Sequence, residues 1–66
     1  MTEHIMQFFA FAHLPPHLQA VSEPFHAMAQ KLMELPRNPE RTVALRKLLE
    51  SKDAAVRAAL AKDVPQ

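Results

Sequence analysis

Apolar residues recur along this chain at spacings of three and four, and the pattern breaks where prolines fall. In the first stretch Ile5, Phe8, Phe9 and Ala12 follow the i, i+3, i+4, i+7 spacing of one buried helical stripe. The spacing predicts a short helix over about residues 2–12, with Thr2 able to cap it and Glu3 suited to its positive end. Phe11 falls outside that stripe. At about 100° per residue it lies about 120° from Ile5, so a lone helix leaves it an aromatic in search of a partner.

His13-Leu14-Pro15-Pro16 stops this first element, because a residue before proline is pushed out of the α region. A proline near the first helical position suits the next start. From there Leu14, Leu18, Val21, Phe25, Met28, Leu32 and Leu35 alternate at threes and fours, a heptad-like seam that predicts a helix over about 16–34. Pro24 lies inside it and removes one intrahelical hydrogen bond, so a kink is expected near residues 20–24. Pro36-Arg37-Asn38-Pro39 is a connector in which Asn38, Pro39 and Glu40 read as N-cap, N1 and an acidic first turn. The third helix is expected over about 39–62, with Leu45, Leu48, Leu49, Ala55, Val56, Ala59 and Leu60 facing inward. Asp53 and Arg57 stand in the favoured i, i+4 order.

A loop of a few residues between two long helices makes them antiparallel neighbours. The expected architecture is therefore all-α: a single domain over 1–66, its short N-terminal helix packed across an antiparallel two-helix hairpin, assembling as a homo-oligomer. Length supports the last point. A chain of 66 residues gains about as much from burial as it loses in ordering, and without cysteine no disulfide or thiolate metal site can staple it. Association with further copies is the remaining route to stability.

Composition removes several functions. Without glycine neither a phosphate loop nor a dinucleotide fingerprint can form. No stretch approaches the ~20 apolar residues of a membrane span, and Met1-Thr2-Glu3-His4 lacks the positive flank of a signal peptide, so an intracellular protein is expected. All Lys and Arg lie at or after Lys31, while the first thirty residues hold all four His. The net charge of +1, with Glu34, Glu40 and Glu50 among the arginines, argues against DNA.

Few residues suggest chemistry. His13 and His17 have a zinc-like spacing, but Pro15 and Pro16 break the helix between them, so a turn or surface role is favoured and no metal site is expected. Ser22 and Thr42 lack a recognisable base, so no catalytic residue is assigned and no cofactor is implied. The cluster Phe8-Phe9-x-Phe11 reads either as core plus an interface anchor or as a ring on which a planar ligand stacks. His26 reads as a surface histidine or a phosphate contact, and Arg41, Arg46 and Lys47 as a solvated face or a source of positive charge.

Two longer runs add to this. Phe9-Ala10-Phe11-Ala12-His13-Leu14-Pro15-Pro16-His17-Leu18-Gln19-Ala20-Val21-Ser22-Glu23-Pro24-Phe25 and Ala44-Leu45-Arg46-Lys47-Leu48-Leu49-Glu50-Ser51-Lys52-Asp53-Ala54-Ala55-Val56-Arg57-Ala58 together resemble the phage anti-CBASS protein 2 family, cyclic-oligonucleotide sponges. The resemblance implies small helical hairpins assembled as hexamers, a trimer of dimers, in the cytoplasm of an infected bacterial host. It implies binding of cyclic dinucleotides such as 3′,3′-cyclic GMP-AMP where two protomers meet, and of cyclic trinucleotides where three meet. The messenger is sequestered without cleavage, so CBASS effectors stay off. By position Phe11 resembles the base-stacking aromatic, commonly tyrosine, and His26 a position near the phosphates that is lysine in some members. Phenylalanine keeps the ring and loses a hydroxyl, while histidine in place of lysine weakens anion affinity or makes it rise as pH falls. Arg46, with Arg41 as runner-up, is the cation expected at a three-fold pocket, and Phe8 and Ala12 complete the expected ligand-binding set. The alternative from the residues alone is a self-assembling hairpin that binds a protein partner.

Overall fold

A computed structural model describes residues 4–61 of the chain. The described residues are helical with no strand: a 3-10 helix over His4–Phe9, α1 over Pro16–Leu32 and α2 over Pro39–Ala61. The two long helices pack together, and the 3-10 helix touches both. Phe9, Ala29 and Leu45, one from each element, are fully buried at the centre. Ile5, Met6, Phe25, Leu32, Met33, Leu48 and Leu49 pack around them.

The first element differs from the expected α-helix over 2–12, whose first residues lie outside those described. It is a 3-10 helix and ends at Phe9. So short a segment forms too few i→i−4 bonds to offset helix nucleation, and its bulky aromatics are poor helix formers. Three residues per turn set Met6 and Phe9 on one edge, where both reach the core. Phe8 is carried off the expected stripe and is 49% exposed. Ala12 lies beyond the helix and is exposed as well.

α1 starts as expected, with Pro16 at N1. The carbonyl of Pro15 accepts the backbone N–H groups of both Leu18 and Gln19 at 2.9 Å. The helix runs without a break through Pro24. Ala20, whose carbonyl loses its helical donor there, and Pro24 are both exposed, so the missing bond falls on the solvent side. α1 ends at Leu32, short of the expected residue 34. Leu35 stands before Pro36, a position that disfavours the α region, and the chain tightens through Glu34 N–H to Lys31 O and Leu35 N–H to Leu32 O.

The inward face of α1 keeps Leu18, Phe25 and Leu32 of the expected seam and adds small residues beside them. Leu18, Ser22, Phe25, Ala29 and Leu32 point into the molecule, while Met28 and Leu35 stay about half exposed. Small side chains at Ser22 and Ala29 let neighbouring elements come close, and Phe9 and Leu45 then fill the space between them.

α2 begins on the cap that the sequence indicates: Asn38 Oδ1 accepts the backbone N–H of Arg41 at 2.9 Å. Its first half faces the core through Leu45, Leu48 and Leu49. Of the second-half residues expected inward, Ala55, Val56 and Ala59 are half-buried and Leu60 is exposed. The expected Asp53–Arg57 pair does not form. Asp53 instead approaches the ammonium of its neighbour Lys52 at 3.9 Å.

Candidate functional site

The feature that stands out is a ring pair made by residues fifteen apart in sequence. Phe11 lies just beyond the 3-10 helix, in chain without regular structure, and meets His26, on α1, with ring centroids 5.1 Å apart and planes at 63°. This edge-to-face geometry is the favourable one for two aromatic rings. Both residues are half-buried, so each is fixed by its neighbour yet still open on one side. The partner that Phe11 lacked on a lone helix is therefore an imidazole.

Backbone and side-chain hydrogen bonds hold the segment that carries Phe11. The Phe11 carbonyl accepts the N–H of Leu14 at 3.0 Å and closes the turn before the prolines. Gln19 Nε2, from the first turns of α1, donates to Leu14 O at 2.7 Å and to Ala12 O at 3.3 Å. On the other side, Lys52 Nζ reaches from α2 to Phe8 O at 2.8 Å. A cation suits that carbonyl, which lies in the last turn of the 3-10 helix. The Lys52 side chain is only 14% exposed, so its stem is packed along the way.

The remaining expected residues are dispersed. The ring of Phe8 stands edge-to-face on His4, at 5.8 Å and 80°, and not on Phe11 or His26. Ala12 contributes its carbonyl to Gln19. Arg46 is exposed on α2, with no hydrogen bond or ion pair among the described residues. Arg41, the runner-up cation, is 7% exposed and turned into the joint between the long helices. Its Nη1 donates to Met33 O and Leu35 O, both at 3.1 Å. A guanidinium held this way fastens the connector and is poorly placed to meet a ligand at the surface. Lys47 is paired with Glu50 at 3.7 Å, with both side chains largely in water.

His13 and His17 are exposed, and no cluster of three or more His, Asp or Glu suited to a metal exists among the described residues. Ser22 is fully buried, and its Oγ has no hydrogen-bond partner among the described residues.

Chemically, the Phe11 ring offers an apolar face to a planar group, and the imidazole beside it offers a nitrogen that donates or accepts according to its protonation. Gln19 and Lys52 are the residues that sequence reasoning missed. A long amide in the first turns after Pro15-Pro16 is a weak signal of a side chain that reaches back. Nothing local marks Lys52, whose acceptor is 44 residues away. Comparison of the chain with family models, with curated proteins and with solved structures finds no match.

Proposed function

We propose that this chain is a sponge for cyclic dinucleotides such as 3′,3′-cyclic GMP-AMP, and in addition for cyclic trinucleotides, which it sequesters without cleaving. The observation that carries the reading is the Phe11–His26 pair, a half-open aromatic ring with an imidazole 5.1 Å from its centre. A base stacked on such a ring gains about 1–3 kcal/mol, and the imidazole supplies a polar neighbour for the sugar–phosphate edge. One pair serves one half of a cyclic dinucleotide. A second copy of the helical hairpin, related by a two-fold axis, supplies the other half, because the ligand is itself nearly two-fold symmetric. Phe8, Met28, Leu35, Val43 and Leu60, each about half exposed, give apolar surface for copies to cover. In the assembled form, a hexamer built as a trimer of dimers, Arg46 faces a three-fold pocket and meets a cyclic trinucleotide. The site of action is the cytoplasm of a phage-infected bacterium, where holding the messenger keeps CBASS effectors inactive.

Isothermal titration with 3′,3′-cyclic GMP-AMP is the direct test, followed by recovery of the ligand after heat denaturation. The expected result is saturable binding at micromolar ligand or tighter, with half a ligand per chain and intact cyclic product released. Absence of heat, or recovery of a linear product, rejects the reading. Light scattering adds a condition, since a monomer has no shared pocket.

The same half-exposed apolar side chains favour a second reading, a helical hairpin that assembles and captures a protein partner through its aromatic surface. In that case Phe11→Ala abolishes partner capture or assembly, and cyclic nucleotides change nothing.

A further inference from the structure

The stretch between the 3-10 helix and α1 has no regular structure of its own from Ala10 to Pro15, yet it presents the Phe11 ring at a defined distance and angle. Two side chains, one from each long helix, hold the chain around it, Lys52 at the end of the 3-10 helix just before it and Gln19 within it. Lys52, on α2, holds the carbonyl three residues before Phe11, and Gln19, on α1, holds the carbonyls one and three residues after it. Neither side chain is required by the helix that bears it. Lys52 spends its donor on chain 44 residues away and Gln19 on chain five and seven residues upstream, and each bond ends on backbone, so side-chain identity in the gripped stretch is left free. We propose that Gln19 and Lys52 are positioning residues that jointly set the Phe11 ring against His26, so that the ring pair is pre-formed before any ligand arrives.

The physical consequence is preorganisation. A loop aromatic that must be ordered on binding loses part of the stacking energy to that ordering, whereas a ring already fixed does not. The two grips also link the site to both long helices at once. Removal of either leaves one end of the stretch loose, and a one-ended tether does not fix a ring angle.

The placement is independent of ligand and is read by nuclear magnetic resonance of the His26 ring protons, which feel the ring current of Phe11. Phe11→Ala defines the shift of His26 without that ring. Lys52→Met keeps the packed stem and removes the donor, and Gln19→Met does the same for the amide. Both variants are expected to move the His26 shifts toward the Phe11→Ala value while far-UV circular dichroism keeps its helical signal. Lys52→Arg, whose guanidinium still donates to Phe8 O, restores them. Unchanged His26 shifts in both variants overturn the proposal, and movement in only one overturns the two-sided placement. The effect on affinity rests on the sponge reading. There each single variant weakens 3′,3′-cyclic GMP-AMP about five-fold, the loss expected for one hydrogen bond. If the unmodified chain binds no cyclic dinucleotide, that reading falls, and the His26 shifts still decide this one.

Discussion

The chain has two proline-marked breaks, and the structure uses them in opposite ways. At the second, between α1 and α2, the long cation is turned inward, while Leu35, Arg37 and Asn38 stay exposed. Arg41 is buried and donates to Met33 O and Leu35 O, and Asn38 caps the following helix on the Arg41 backbone N–H. At the first, between the 3-10 helix and α1, donors on the helices again hold the chain, but what the break itself presents is a half-open aromatic ring. One break is a joint and the other is a display. Two stretches with the same proline grammar thus take different roles according to whether their distinctive side chain is buried as a donor or left half-open as a ring.

The sharpest way to break this comparison is at the joint. Arg41→Met keeps bulk and removes a buried charged donor, leaving two carbonyls of the connector unserved. Hydrogen bonds to charged groups are worth about 1.5–3 kcal/mol, so a loss of about 3 kcal/mol is expected. On a domain of this size that lowers Tm by more than roughly 10 °C, read by thermal circular dichroism. Arg41→Lys recovers only part, because an ammonium does not reproduce the planar fork. A thermal midpoint unmoved by Arg41→Met means that the joint is held by packing alone and the contrast between the breaks fails.

At the display the expected effect is smaller and falls on a different quantity. Phe11→Ala removes a half-exposed ring outside the core cluster, so Tm changes little. Under the sponge reading, affinity for 3′,3′-cyclic GMP-AMP falls by about 1–3 kcal/mol, roughly five-fold to more than a hundred-fold by titration. Phe11→Tyr keeps the ring and retains most of the binding. A variant that unfolds the chain yet binds normally when folded places Phe11 in the joint class and removes the display.

Much of this contrast is legible in the sequence, and the parts that are not share a cause. Helix existence and most boundaries follow from Pro15-Pro16, Asn38-Pro39 and the periodic leucines, because those signals act within one turn of where they stand. Phe11 is visible as an aromatic off its stripe, and its partner His26 comes only from folding α1 back beside the first segment. On α1, Leu18, Phe25 and Leu32 face inward as read, and Ser22 and Ala29 are missed because hydropathy favours their neighbours Val21 and Met28. The packed face is set by size, and Ser22 and Ala29 win by being small. Arg41 looks like a surface cation, since nothing nearby in sequence announces two carbonyls waiting six and eight residues upstream. Gln19 and Lys52 act on backbone acceptors, which every residue carries, so no residue pattern marks their targets.

The smallest effect sharpens the joint itself. Asn38→Ala removes the side-chain acceptor at the start of α2, an N-cap loss of about 1 kcal/mol on chemical denaturation. Asn38→Asp keeps an acceptor at a helix N-terminus and is expected to be near neutral. Asn38 holds the backbone N–H of the residue whose guanidinium holds the connector carbonyls, so the two attachments share Arg41. They are therefore not independent. In the Arg41→Met background the connector is already loosened, and Asn38→Ala is expected to cost less than it does alone, a coupling of about 0.5 kcal/mol or more in a double-mutant cycle. Strict additivity would separate the cap from the clamp and show that the second break is held at two unrelated points.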